Sequence, residues 1–319
     1  MPDWREDTRN ALAGLKAEAG LDVPLAGYTT FGIGGPADML VTVHDRKALA
    51  AVLAACQESG ADWWVLGRGS NVLISDSGLR GVVVMLGAEF GNVKVRDGVL
   101  VAGAAAGLDD IAVAAEQAGL QGAEFLAGIP GTLGGGLHSN AGAFERSLTD
   151  ILTRVKVLGR TGRTRTLKQG DFETGYRQQV IDDQLVVIEA EMELEPGYPE
   201  PVETVRQKRW ATQPQDPSAG SFFRNPESEP AWSLIDKAGL RGFRVGKAQV
   251  SEKHTNFIIN TGGASFFDVY ELVQVVKARV EESSGIELEE EVQVLPEPER
   301  AALSQAPARG KYRGPRTKD

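Results

Sequence analysis

The sequence holds one cysteine, Cys56, and three histidines, His44, His138 and His254, so an internal disulfide is excluded and no set of metal ligands at working spacing exists. An uninterrupted apolar run of membrane-spanning length is also missing, and the first ten residues are charged. Neither a transmembrane helix nor a signal peptide is expected, and the chain reads as cytoplasmic. Positive charge is in deficit: 34 Lys and Arg against 44 Asp and Glu leave a formal net charge of −10. That balance argues against nucleic-acid or membrane-surface partners, both anionic, while leaving room for a local positive pocket that takes an anionic small molecule.

A chain of 319 residues is long for one hydrophobic core and predicts two or three packed modules. Leu49, Val52, Leu53 and Cys56 at i, i+3, i+4, i+7 predict a helix over 47–58, ended by Ser59 and Gly60, with a strand then running into Leu66. The apolar run 82–86 predicts a strand. Residues 93–95 and 99–102, either side of Asp97-Gly98, predict a hairpin. Leu108, Ile111, Ala112 and Ala115 mark another helix that Gly119 would close. Strict alternation over Val186, Ile188, Ala190, Met192 and Leu194 predicts a strand with one buried face. After Pro196, Pro199 and Pro201 a new module is expected, with helices over 202–211, 231–238 and 269–280, a strand over 256–260 and a last strand over 288–295. Strands and helices mix without a regular βαβ repeat, so the fold class expected is α+β. From Pro296 the composition predicts a disordered tail, 296–319.

Glycine is abundant where chemistry would need it. Residues 128–136 place five glycines in nine positions, which lets the backbone approach a bulky anion and aim N–H groups at it. Leu137 and His138 stand where a P-loop would need Lys and then Ser or Thr, so that motif is absent. Gly67-Arg-Gly-Ser-Asn71 begins like a dinucleotide fingerprint but has Val72 in place of the third glycine, and Gly32-Ile-Gly-Gly35 is no better. Each run alone is equally compatible with a tight turn or a close packing contact. Ser70, Asn71, Thr132 and Asn140, embedded in these runs, are polar groups able to orient a ligand. Ser221 and Asn225 in the aromatic segment 220–226, Tyr176-Arg177, His254 and the run 289–291 are further candidates. Their plain alternatives are a buried turn, a solvated arginine, an ordinary histidine and a charged face.

In this order the segments resemble the UDP-N-acetylenolpyruvoylglucosamine reductase family. The landmarks are residues 29–35, 66–71, 128–132, 140–142, Tyr176-Arg177, 220–226, 250–254 and Glu291-Val292, and the resemblance spans Tyr28 to about Leu295. It implies a two-subdomain FAD-binding fold of the vanillyl-alcohol-oxidase type plus a smaller α+β substrate-binding domain. The divisions expected are 1–60 for the first FAD-binding subdomain, rejoined by the strand near 288–295, 61–198 for the second, and 199–287 for the substrate domain. FAD bound noncovalently would take hydride from NADPH and pass it to UDP-N-acetylglucosamine enolpyruvate, in a monomer that completes a peptidoglycan precursor.

The resemblance also assigns roles. Arg177, Ser221 and Glu291 would be catalytic. Gly67, Arg68, Gly69, Ser70, Asn71, Gly128, Ile129, Pro130, Gly131, Thr132, Gly134, Asn140, Ala141 and Gly142 would hold FAD. Tyr176, Gln213, Asn225 and His254 would contact the sugar nucleotide, and no metal is implied. Departures from the family pattern are Arg224 for a lysine, Gln178-Gln179 after Arg177, and Ser139 where methionine is common. No room is evident between Tyr176 and Pro226 for the extra tyrosine-bearing loop, so the shorter subtype is implied. An FAD-dependent oxidase of an alcohol or sugar, which would need a base in place of the Ser221 acid, and a nucleotide-binding regulatory protein without turnover are the competing readings.

Overall fold

The structure is a computed structural model that describes residues 4–172, 180–182 and 184–296. The first sheet contains β1 (Ala17–Pro24), β2 (Pro36–Val43), β3 (Trp63–Val65) and β5 (Leu79–Leu86) in the order β1-β2-β5-β3; β2, β5 and β3 run parallel, and β1 is antiparallel to β2. Helix α1 (Trp4–Leu12) precedes it, and α2 (Arg46–Ser59) makes the crossover from β2 to β3. The local chemistry of α2 matches its sequence signals. Asp45 accepts the Ala48 N–H at 2.8 Å as N-cap, and Gly60 at φ 70 turns the chain out of the helix. Leu49, Val52, Leu53 and Cys56 pack on Met39, Val41, Val82 and Val84, while Leu25, Leu40, Leu66 and Val83 cover the other face. With both faces covered, β2 is buried at nearly every position and shows no alternation for a sequence reading to detect.

The second sheet is antiparallel, in the order Thr164–Lys168, Leu152–Gly159, Leu185–Glu193, β7 (Val99–Gly103), β6 (Val93–Arg96). The hairpin expected at Asp97-Gly98 joins β6 to β7 with both residues at positive φ, 51 and 81, as a two-residue turn requires. Helices α3 (Leu108–Gln117), α4 (Leu133–His138) and α5 (Val202–Thr212) belong to this module, the last through Val202 and Val205. The third sheet is antiparallel, in the order Ser218–Ser221, Phe257–Asn260, Ala248–Val250, Arg244–Val245. Helices α6 (Ala231–Lys237) and α7 (Phe266–Ser284) pack against it through Leu234, Ile235, Val269, Leu272, Val273 and Val276. The whole is α+β.

Three divisions differ from the sequence expectation. The boundary at 60 falls inside the first sheet, because β3 and β5 supply the parallel partners that β2 needs. The boundary at 198 precedes α5, whose apolar side is buried in the second core. The last strand is shorter than 288–295: only Gln293–Leu295 pairs, parallel to β4 (Val72–Ile74), while 289–292 leaves that pairing to bond residues 222–224.

Candidate functional site

A cavity of about 1,890 Å³ lies where the three sheets meet. That is well above the roughly 300–1,000 Å³ of a site for a drug-sized molecule, and it suits a dinucleotide. Its walls include all of residues 66–71 and 128–132, together with Gly134, Ala141, Gly142 and Gln213.

The glycine segments meet each other there. A Cβ on Gly67 would stand 2.6 Å from Thr132 Oγ1, and one on Gly69, at φ +60, would stand 2.3 Å from the Tyr28 carbonyl oxygen. These two glycines therefore let three backbone segments converge. The convergence leaves the N–H groups of Arg68, Gly69 and Ser70 without a hydrogen bond to any described residue, a set of main-chain donors suited to a pyrophosphate. Thr132 caps α4 by accepting the Gly135 N–H at 3.4 Å, and Gly136 admits Leu148, whose Cδ1 would be 2.9 Å from a Cβ at that position. The glycine run is thus partly a helix. Asp109 fixes the start of the segment: its Oδ1 accepts the Gly128 N–H at 2.7 Å and the Arg206 Nε–H at 2.9 Å, and its Oδ2 accepts a second Arg206 N–H at 2.5 Å. The Arg206 hydrogen bonds hold the Asp109 carboxyl below the usual carboxylate range despite its partial burial. An FAD-sized dinucleotide fits this arrangement.

Ser221 and Glu291 come together through the backbone. The Glu291 and Val292 N–H groups both donate to the Phe222 carbonyl, at 2.8 and 3.3 Å, and the Arg224 N–H donates to the Glu289 carbonyl at 2.9 Å. Asn71 closes the corner, its Nδ2 donating to the Glu291 carbonyl at 3.2 Å. Ser221, Glu291 and the glycine turn all line the cavity.

Other candidates sit differently. Tyr176 and Arg177 lie outside the described residues, as do Gln178, Gln179 and the tail from 297. Asn140 is buried at φ 45 and directs its side chain to Thr149, donating to Oγ1 at 3.1 Å and accepting its N–H at 3.2 Å, so it shapes the turn that presents Ala141 and Gly142. Asn225 accepts the Ala231 N–H at 3.1 Å at the start of α6. His254 packs edge-on against Phe257, ring centroids 5.0 Å apart, and Phe257 lines the cavity. Burial lowers the His254 imidazole below its ordinary pKa.

Sequence reasoning missed the residues that hold these segments. Asn256 clamps Phe223, accepting its N–H at 2.9 Å and donating to its carbonyl at 2.8 Å. Asn260 donates to the Phe31 carbonyl at 3.0 Å, Thr30 Oγ1 donates to the Ser218 carbonyl at 2.7 Å, and both Asp76 oxygens accept the Phe266 N–H at 3.1 Å. Each sits beside another polar residue, in Thr29-Thr30, Ser75-Asp76-Ser77, Thr255-Asn256 and Asn260-Thr261, and such a pair does not name its partner. Among the described residues no cluster of His, Cys, Asp and Glu could hold a metal ion.

Comparison with known proteins matches residues 213–295 to the family model "UDP-N-acetylenolpyruvoylglucosamine reductase, C-terminal domain" and residues 37–168 to "FAD binding domain". UDP-N-acetylenolpyruvoylglucosamine reductase 1 of Bacillus anthracis is 40% identical over 282 residues, covering 86% of this chain and 94% of its own length. The reductase of Heliobacterium modesticaldum is 42% identical over 279 residues, covering 85% and 89%. The crystal structure of UDP-N-acetylenolpyruvylglucosamine reductase from Thermus caldophilus superposes with a TM-score of 0.75 at 35% identity, covering 88% of this chain and all of that one.

Proposed function

The chain belongs to the UDP-N-acetylenolpyruvoylglucosamine reductase family, and from that premise we propose how its own residues carry the reaction. The enzyme is an FAD-dependent oxidoreductase that uses NADPH to reduce the enolpyruvyl group of UDP-N-acetylglucosamine enolpyruvate in peptidoglycan biosynthesis. Bound FAD supplies what no side chain can, carrying hydride from NADPH to the terminal vinyl carbon of the substrate.

Negative charge then develops on the carbon next to the substrate carboxylate and spreads into it, giving an enolate-like dianion. Arg177 is assigned to that charge, since a guanidinium offers two parallel donors to a carboxylate. Ser221 is the proton donor to the carbon. An aliphatic hydroxyl is a weak acid, so the proton leaves only if a neighbouring cation or donor stabilises the oxygen left behind, which is a second role for Arg177. Glu291, fixed to the Phe222 backbone, orients the substrate carboxyl or relays a proton. The main-chain donors at Arg68, Gly69 and Ser70 and the turn 128–132 hold the FAD pyrophosphate, while Asn140 positions Ala141 and Gly142. Tyr176, Gln213, Asn225 and His254 contact or position the UDP-sugar. The two modules before residue 213 form the FAD-binding part, with the third closing over the substrate. The reading extends to a monomer acting in the cytoplasm, where NADPH and the UDP-sugar are found because a bilayer excludes both, and thereby to cell shape and division. No helix among the described residues is long and apolar enough to cross a membrane.

The observation that carries this assignment is the backbone pairing that brings residues 289–292 beside 222–224, with Ser221, Glu291 and the glycine turn all lining the cavity. The test separates the two halves of the reaction. With Ser221→Ala, stopped-flow flavin absorbance should show reduction by NADPH nearly unchanged and reoxidation by the enolpyruvyl substrate slowed by about a hundredfold or more. Equal loss in both halves would remove Ser221 from the proton-donor role.

A further inference from the structure

The cavity continues past the glycine turns, away from Glu291. Asn71, at the end of the segment 66–71, bonds the Glu291 carbonyl, whereas β3 enters the other end of that segment. Trp63, the first residue of β3, stands four residues before Gly67, about 13 Å at the ~3.3 Å rise of a strand. That is a span a ribose and a purine can bridge. Trp63 and Val65 line the cavity from the first sheet, and Leu185 and Val187 line it from the second. Val65 is 41% exposed on β3, the edge strand of the first sheet, so apolar surface at this end of the cavity is uncovered.

One guanidinium reaches into this slot. Arg160, in the turn joining strands Leu152–Gly159 and Thr164–Lys168, lines the cavity and lays its Cζ 5.5 Å from the Trp63 ring centroid. Its Nε is buried and has no hydrogen-bond partner among the described residues. A buried donor left in this state marks a missing acceptor. A purine supplies both things the slot lacks, an apolar face for the walls and ring nitrogens that accept an N–H.

We propose that Trp63 and Arg160 form the adenine end of the cofactor groove, with the Arg160 Nε–H donating to the purine and Trp63 backing the guanidinium. The proposal rests on the reading that FAD occupies the cavity with its flavin toward Ser221 and Glu291. A dinucleotide gripped at its centre by the glycine turns must then send its other half toward β3. Neither side chain follows from the glycine motifs.

The experiment uses the full chain stripped of flavin and retitrated, with Arg160→Met, which keeps the apolar stem, and Trp63→Phe, which keeps a ring. Dissociation constants are read from flavin fluorescence for FAD and FMN, and ADP is assayed as a competitor of FAD. Arg160→Met should weaken FAD and ADP by the same factor, about tenfold, and leave FMN unchanged; Trp63→Phe should do so more mildly. An unchanged FAD constant in Arg160→Met, equal weakening of FAD and FMN, or no competition by ADP against the wild type would overturn the proposal while the FAD site stood. A wild-type protein without affinity for FAD would remove the flavin reading itself, and this inference with it.

Discussion

Asp109 is a single side chain on which two parts of the molecule depend. It accepts from Gly128, at the head of the cavity segment, and from Arg206 on α5, and both ionic side chains are about three-quarters shielded from solvent. Asp109→Asn keeps the shape but cannot accept from the Gly128 N–H and both Arg206 N–H groups as an anion does, and it should cost about 1–3 kcal/mol of stability at pH 7. The folded carboxyl titrates below its unfolded value of about 3.9, so the stabilisation is fully present above that value and is lost as pH falls through the folded pKa. Urea unfolding should show the full difference between wild type and Asp109→Asn at pH 7 and a much smaller one in acid once the pH has fallen below the folded pKa. A difference that persists unchanged in acid would mean that shape, not charge, sets the cost. Nothing in the sequence marked Asp109: it reads as one of two acids in the first turn of α3, a common helix-start preference that says nothing of Gly128 or Arg206.

At the scale of elements, a hairpin near the cavity carries backbone strain. Residues Gly142–Ala143 and Arg146–Ser147 pair directly, leaving Phe144 and Glu145 as a two-residue turn with φ of 52 and 61. Such a turn suits Asn-Gly, and side chains at positive φ cost about 1 kcal/mol each. The Phe144 ring lies under the Arg209 guanidinium, 5.9 Å away, so Glu145 is the position to relax. Glu145→Gly should raise stability by about 0.5–1 kcal/mol after the larger chain entropy of glycine in the unfolded state is counted, visible as a higher urea midpoint at unchanged slope. A lower midpoint would show that the Glu145 side chain contributes more than its strain costs.

Elements were legible from sequence where one face met solvent and a cap was present. The i, i+3, i+4, i+7 spacing with Ser59 and Gly60 located α2, and the spacing over 269–280 located the centre of α7, whose Ser265 and Asp268 form a capping box. β2 was lost because both its faces are covered. Helix α4 was hidden because three glycines, poor helix formers, make half of it, and two of them, Gly134 and Gly136, allow close packing on Ala104 and Leu148. Residues 288–291 look like a strand, but 289–291 leave that pairing to run beside 222–224. That detour bonds Glu291 to Phe222, the residue after Ser221. The motif order named both residues; only the fold shows why they meet.

The cavity belongs to the molecule as a whole, since its walls come from all three sheets and no module encloses it alone. The modules are joined close to it. Strand Gln293–Leu295 returns to β4, Asn260 reaches the Phe31 carbonyl, and Asp76 accepts the N–H at the start of α7. A ligand seated at this junction binds only when the modules are folded and docked, so its free energy adds to the stability of all of them. At free FAD of 100 times Kd the gain is about 2.7 kcal/mol. With an unfolding entropy of about 2.1 cal/mol/K per residue, that raises the melting temperature by roughly 4 °C. Scanning calorimetry of the flavin-free and FAD-saturated protein should show the whole transition moving upward, and further with each increase in FAD. If instead the flavin-free protein melts in two steps and FAD lifts only one, the third module does not depend on the cofactor. Any coupling of that module to the cofactor would then have to come from substrate binding rather than from the fold.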